Sequence, residues 1–411
     1  MVWKSVLVRE MRSENDKAAI VTLFHGNYNF GGLLQAYALP VALEKYLGLP
    51  AEQIDYALCP AEAEEQTEKE PVSLLNRIYA FVWRISNCLE KRYFINRKRM
   101  FDEFIDDIPH SKETYRFDSI SDVLNEYHIF ICGGDQIWND YQAIRWYRRE
   151  DSQVFTLQFV PEHIKKISYA PSMAVLELTD EFKAEFSTGI NRLDAISIRE
   201  KRSLPVLEQL TQKPITVVVD PVLLLREEDW LEVTRPAEKR QRYILCYLLG
   251  DHVGQRKAVQ RFARKMKRTI ITFPHILGNV VRKCDLFFGD VHDYTSGPRE
   301  FLDLIRHADM VVTDSLHACV FSMIFKTPFA VFERNKAGET GNMNSRIYDF
   351  LEEYHLEWQL VTEKELEDMN DIPKVDFAYA HEHWQKRRAE SLTYLENALK
   401  DDECVVREDY E

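Results

Sequence analysis

The amino-acid sequence predicts an α/β protein of parallel sheets flanked by helices, laid out as two successive β-α series. Three observations carry that prediction. Short apolar runs rich in β-branched and aromatic side chains alternate with longer stretches whose apolar residues recur at helical spacing. Several of the runs end in Gly, Asp, Asn or Ser just before a helical pattern, as the strand-to-helix turns of βα units do. The alternation also restarts after a charged stretch that follows Arg226 and closes at Gln241.

In chain order, Ala18 to Phe24 reads as a first strand, followed by His25-Gly26-Asn27-Tyr28-Asn29-Phe30-Gly31-Gly32 and a helix from Leu33 to about Leu47. Three of the chain's 14 glycines fall in that loop, which points to positive φ or close backbone approach. The loop is neither GxGxxG nor a P-loop. Ala51 to Asp55 leads into a second strand. Residues 60–71 form an acidic insert, and Val72 to Ile108 reads as helical, with Lys91, Arg92, Arg97, Lys98 and Arg99 as a basic cluster. That cluster is either a solvated helix face or a patch for peripheral contact with an anionic membrane surface. His128 to Cys132 is a strand that ends in Gly133-Gly134-Asp135-Gln136-Ile137-Trp138-Asn139. Phe155 to Phe159, Lys166 to Tyr169, Ala195 to Ile198 and Ile215 to Val219 read as further strands. Thr179 to Ile190 is a helix, and Arg199-Glu200-Lys201-Arg202 opens another.

The second series runs through strand Tyr243 to Leu249, helix Val253 to Lys267, strand Thr269 to Phe273 and helix Pro298 to His307. Its last unit is the sharpest. Met310 to Val312 is a short apolar run, and Thr313, Asp314 and Ser315 are three good N-cap residues. Leu316, Cys319, Val320, Met323 and Ile324 repeat at helical spacing, Lys326 sits in the last turn, and Phe329 to Phe332 is a second strand. This βαβ unit puts His317 in the first turn of a helix, at a strand's carboxyl end, where open α/β sheets bind ligands and helix starts attract anions. A polar loop, Asn335 to Ser345, follows, and Asp376 to Leu399 is a long amphipathic helix. The division expected is 1–235, 236–375 and a C-terminal helix and tail, 376–411.

Composition narrows the function. With 53 basic and 67 acidic residues the net charge is −14, which argues against a nucleic-acid binder held by phosphate neutralisation. No stretch has the roughly 18 consecutive apolar residues of a membrane span. The seven cysteines are scattered without a CxxC pair, which fits a reducing cytoplasm and neither a disulfide scaffold nor a zinc site.

Taken together, seven segments resemble the polysaccharide pyruvyl transferase family. They are Gly26 to Leu39, Gly133 to Asn139, Ser168 to Ser172, Ser197 to Glu200, Asp220-Pro221, Thr313 to His317, and Asn344 to Arg346. The resemblance implies two Rossmann-like domains facing across a cleft, as in GT-B glycosyltransferases. It also implies transfer of pyruvate from phosphoenolpyruvate, as a ketal, to a sugar of a cell-surface polysaccharide or its lipid-linked or nucleotide-linked precursor. The N-terminal domain would be the acceptor side and the C-terminal domain the donor side. Two positions depart from the family: Ala318 stands where glycine is usual, adding a methyl group beside the expected donor site, and Trp358 occupies a region where an arginine is frequent.

Phosphoenolpyruvate carries a phosphate and a carboxylate, so its site needs guanidinium forks and backbone N–H groups. Arg199, Arg334 and Arg346 are the candidate cations, with Ser315 opening the helix whose amides would cradle phosphate. Ketal formation needs a group that gives and takes protons near neutral pH, a role that falls to His317. Asn29, Gln35, Asp135 and Gln136 lie at strand ends of the first domain and suit sugar hydroxyls. No cofactor or metal is required, and no ligand cluster shows among the 12 histidines. Two other functions are compatible with the pattern: a GT-B-type glycosyltransferase using a nucleotide sugar, and a non-catalytic relative that binds a glycan or a partner enzyme.

Overall fold

The computed structural model describes residues 17–58, 95–140, 149–237, 242–274, 276–277, 280–335 and 343–400. In the N-terminal domain, β1 (Ala18–Val21), β2 (Ala51–Tyr56), β3 (His110–Tyr115), β4 (Ile129–Gly133) and β5 (Lys165–Tyr169) form a parallel sheet in the order β3-β2-β1-β4-β5. The pair β6 (Ile196–Ile198) and β7 (Ile215–Val217) extends it beyond β5 through a parallel bridge between Ile167 and Ala195. In the C-terminal domain, β8 (Tyr243–Tyr247), β9 (Thr269–Thr272), β12 (Val291–His292), β13 (Met310–Thr313) and β14 (Phe329–Val331) form a second parallel sheet, ordered β12-β9-β8-β13-β14. The antiparallel hairpin β10 (Ile276–Leu277) and β11 (Val280–Val281) stands outside it.

Both sheets start in the middle and wind outward in both directions. The chain reverses sides between β1 and β4 in the first sheet and between β8 and β13 in the second. Each reversal splays the connecting loops apart at the carboxyl ends of the strands and leaves a crevice there. The molecule is therefore two Rossmann-like domains whose ligand edges face each other across a cleft.

The helices that shape this cleft are α1 (Phe30–Leu47), α2 (Asp180–Ile190), α3 (Glu227–Val233), α4 (Val253–Met266), α5 (Pro298–His307), α6 (Leu316–Ile324), α7 (Ser345–Glu353) and α8 (Ala378–Ala398). Several elements depart from the sequence reading. Helix α1 begins at Phe30 instead of Leu33, which draws Gly31 and Gly32 into its first turn. Phe155 to Phe159 is a turn rather than a strand; Phe155 and Leu157 are apolar because they are buried, and Leu157 has φ 58°. Arg199 and Glu200 precede the helical turn, which starts at Lys201. The charged strand β3 and helix α7 are additions, and Lys326 has left helix α6 with φ 55°.

One core cluster runs through both domains. At the seam the Phe30 ring stacks on Phe301 at 4.4 Å and meets Phe101, Phe273 and Tyr247 at 4.9, 5.1 and 5.6 Å. Arg97, on the helical stretch 95–106, lays its guanidinium 5.0 Å over Phe30 and donates to the Pro274 carbonyl at 3.2 Å. Of the basic cluster expected on that helix, Lys91 and Arg92 lie outside the described residues. Arg97 points into the seam, Lys98 pairs with Asp102 at 2.7 Å, and Arg99 lies 4.0 Å from Glu103.

Helix α8 then crosses back onto the first domain. Trp384 Nε1 donates to the Leu223 carbonyl at 2.8 Å, Arg388 Nε to Leu224 at 2.6 Å, and the Val219 amide donates to Ser391 Oγ at 3.0 Å. Near its start His381 meets the Met323 carbonyl of the other domain at 2.7 Å, so this helix straps the two together. Among the described residues no helix is long and apolar enough to cross a membrane. Because Phe30 is 1% exposed and joins the two domains, Phe30→Ala is expected to cost about 3–5 kcal/mol of stability by urea unfolding. A loss under about 1 kcal/mol would contradict a seam packed around this ring.

Candidate functional site

The site forms where the two ligand edges meet. On the first domain, Asn29 caps α1 by accepting the Gly32 amide at 3.1 Å, and the Asn29 amide donates to Asn27 Oδ1 at 2.9 Å. Gly31 faces the opposite domain, and a Cβ built there would overlap the His317 imidazole. The histidine therefore rests directly on the backbone of the glycine loop, a contact that any side chain at position 31 would block.

On the second domain, β13 ends in Thr313, whose hydroxyl donates to the Tyr247 carbonyl at 2.6 Å. The fully buried Asp314 carboxylate accepts the Leu249 and Gly250 amides at 2.7 and 2.6 Å, fixing the turn after β8 to the end of β13. Ser315 takes the N-cap position of α6, yet its side chain makes no capping bond. The first turn of α6 thus presents amides without a side-chain acceptor, and the positive end of the helix faces the cleft.

Charged groups converge here from both domains. Arg199 leaves β6 and is held by Asp220 and by Glu200, whose carboxylate lies 3.1 Å away. Asp220 also accepts the Val222 amide at 3.0 Å, and its Oδ2 lies 3.4 Å from His317 Nε2, off the line of a direct hydrogen bond. Burial alone would raise the Asp220 pKa, but the charges of Arg199 and His317 outweigh it and hold the carboxyl well below its usual range. Burial works against Arg199 too, and Glu200, Asp220 and Asp135 overcome it and strengthen its charge.

Arg346 has a different balance. It is 7% exposed and, among the described residues, has no carboxylate within ion-pair distance. Burial, with Arg199 and Arg334 nearby, lowers its pKa to about 10 against the weaker pull of Asp135 and Glu200. Its guanidinium meets Gln136, which accepts at 3.0 and 3.1 Å when its amide is turned to present oxygen. Arg334 donates from Nη2 to the Asp314 carbonyl at 2.7 Å. The Nε atoms of Arg334 and Arg346, Glu200 Oε2 and His317 Nε2 are all buried without a hydrogen-bond partner.

The structure thus brings His317, Arg199, Arg334, Arg346 and Ser315 to one cluster, with Asp135 and Gln136 at its border. Asn29 lies at the exposed start of α1. Gln35 is 1% exposed and sits beneath the loops; its amide donates to the Gly32 carbonyl at 3.0 Å and its other end packs against Gly134, which has φ 73°. Gln35 supports the loop from inside and offers nothing to the cleft. The Ala318 methyl group lies in the hydrophobic core rather than beside the cluster, so this departure from the family leaves the site's surface unchanged. Trp358 is 51% exposed, on the turn Glu357–Gln359. Sequence reasoning assigned no role to Glu200, Asp220 or Asp314. Each follows or ends a strand inside a quoted segment, which was the available signal.

Because the folded-state pKa of Asp220 lies below its ordinary 3.8, the stability it contributes is complete above that value and fades as pH falls. Asp220→Asn is therefore expected to be less stable than wild type at about pH 6, with the gap narrowing by about pH 3 in urea titrations. An equal gap at both would contradict the coupling to Arg199 and His317.

Comparison with known proteins places this geometry. The family model described as Polysaccharide pyruvyl transferase matches residues 29–336. General stress protein 30 of Bacillus subtilis (strain 168) is 26% identical over 266 residues, covering 62% of this chain and 69% of that protein. Among solved structures, the chain is similar to UDP-GlcNAc 2-epimerase from Neisseria meningitidis bound to UDP-GlcNAc, at TM-score 0.48 and 13% identity over 92% of this chain and 99% of that one. The corresponding Methanocaldococcus jannaschii enzyme gives 0.46 and 12%, again over 92% and 99%. Likeness at that level carries no chemistry, and the strand order itself defines the fold. The family match runs from the N-cap of α1 to the chain just beyond Arg334, and this protein belongs to the polysaccharide pyruvyl transferase family.

Proposed function

We propose that the protein transfers the pyruvyl group of phosphoenolpyruvate to a sugar of a cell-surface polysaccharide or its precursor, forming a ketal. The observation that carries the proposal is Arg346, a buried cation without a carboxylate of its own. An isolated buried charge is costly, and this one stands beside Arg334, Arg199 and an uncapped helix start. A dianionic or trianionic ligand of small size would relieve all four, and phosphoenolpyruvate, with phosphate at one end and carboxylate at the other, is such a ligand.

In the first step a sugar hydroxyl adds to C2 while C3 gains a proton. His317, facing Asp220, gives that proton in its charged form and recovers one from the adding hydroxyl. In the second step another hydroxyl of the same sugar forms its bond to C2 as the C2–O bond to phosphate breaks. Its proton leaves with the phosphate. Arg334, Arg346 and the α6 amides hold the departing anion, and fixed charges of this kind supply much of the rate. Asp220 stays ionised throughout the useful pH range and faces the imidazole at 3.4 Å.

The test is incubation with phosphoenolpyruvate and a panel of lipid-linked and nucleotide-linked sugars, following released phosphate and product mass. One sugar is expected to gain a ketal. His317→Asn, with unchanged circular dichroism, is expected to lower kcat by about 10²–10⁴-fold. Phosphate release at the wild-type rate in that variant would remove His317 from the mechanism. Stabilisation by nucleotide sugars but not by phosphoenolpyruvate would point instead to glycosyl transfer.

A further inference from the structure

Next to the arginine cluster lies a cavity of about 310 Å³, within the size range of small-molecule sites. It opens between the end of β7 and the helices α6, α7 and α8, and Arg199, Asp220 and Arg346 belong to both the cavity and the cluster. Its floor is apolar, from Val219, Leu316, Val320 and Phe350. Its inner wall carries Glu200, which is 2% exposed and whose Oε2 has no partner, while its other oxygen accepts from Ser172 and lies against Arg199. A buried carboxylate oxygen without a donor invites a hydroxyl group.

The rim is aromatic. His355 and Tyr379 are nearly parallel, 4.1 Å between centroids and 9° apart; Tyr379 and His383 continue the series at 5.7 Å and 8°. His383 is fixed by Glu353 at 2.7 Å, and Glu353 in turn by Arg387 at 2.9 Å. These rings therefore form a held wall, and Tyr379 is 46% exposed at its edge. Neither sign of charge dominates the lining, which disfavours a strongly charged guest. An aromatic rim, an apolar floor and an unfilled carboxylate oxygen at depth together suit an uncharged ring bearing several hydroxyl groups.

We propose that this cavity is the acceptor subsite, that it takes a neutral saccharide ring against Tyr379 and His383, and that Glu200 accepts a hydrogen bond from one of its hydroxyls. The proposal rests on the pyruvyl-transfer function above. It moves the acceptor from Asn29, Gln35, Asp135 and Gln136, none of which lines the cavity, to the side formed by α7 and α8. A sugar seated there borders Arg199 and Arg346, so its hydroxyls lie next to the donor held by those arginines.

The experiment uses full-length protein and four probes: the methyl β-glycosides of glucose, galactose, mannose and N-acetylglucosamine. Saturation-transfer NMR is expected to show at least one binding through its ring protons. Tyr379→Ala and His383→Ala are each expected to weaken it about tenfold, as loss of one packed aromatic contact does. Glu200→Gln is expected to weaken it as well, and its fold is checked by circular dichroism. Binding of none of the four, or binding untouched by both Tyr379→Ala and His383→Ala, overturns the proposal. Phosphoenolpyruvate binding is titrated separately. If it is absent while the glycoside effects hold, the donor assignment fails and the saccharide site stands.

Discussion

At the meeting of the two domains Arg199, Arg334 and Arg346 lie among Asp220, Glu200, Asp135 and Asp314, and these carboxylates are shared unevenly between them. Arg199 is compensated by Asp220 and Glu200, Arg334 has the Asp314 carbonyl and, at 3.8 Å, the Asp314 carboxylate, and Arg346 has the Gln136 amide without a carboxylate at ion-pair distance among the described residues. Burying Arg346 in this way costs free energy, and packing elsewhere must offset it. The aromatic seam around Phe30 and the strap of α8 across both domains do so, since each buries large apolar side chains.

The two sheets deliver this geometry for a common reason. Each winds outward from a central strand, so each leaves a crevice at the carboxyl ends of adjacent strands, and the crevices face one another. The glycine loop at the start of α1 is one lip and the α6 start is the other. They touch where His317 rests on Gly31, and the absence of a side chain there allows the imidazole to reach Asp220 from the opposite domain. Neither domain holds a complete site by itself. His317 with Asp220, and Arg346 with Gln136, are pairs that span the two domains.

Much of this was legible in the sequence because it is local. The βαβ unit ending in Phe329 to Phe332 carries its own signals: an apolar run, cap residues, helical spacing, then a second run. Helix α5 keeps its expected bounds, Pro298 to His307, for the same reason, with proline at its first position. What was not legible depends on partners distant in sequence. Strand β3 is polar because it lies at a sheet edge with half its face in water. Phe155 and Leu157 satisfy a core rather than a ladder, which alternation alone cannot reveal. Gln35 looked available because the motif that contains it borders the cleft, and only the fold shows Gly134 closing over its amide. The role of Glu200 is likewise set by the cavity beside it, which is formed in part by a helix beginning at Ala378.

In the function proposed above, Arg346 holds the donor with a charge that no carboxylate pairs among the described residues. The most direct measurement is isothermal titration of phosphoenolpyruvate into wild-type protein and into Arg346→Met, a variant that keeps bulk and removes charge. The wild type is expected to bind and the variant to lose roughly 10- to 100-fold in affinity, the range for a charge-assisted hydrogen bond. Equal affinity in the two, or wild-type preference for a neutral ligand of the same size, would contradict it.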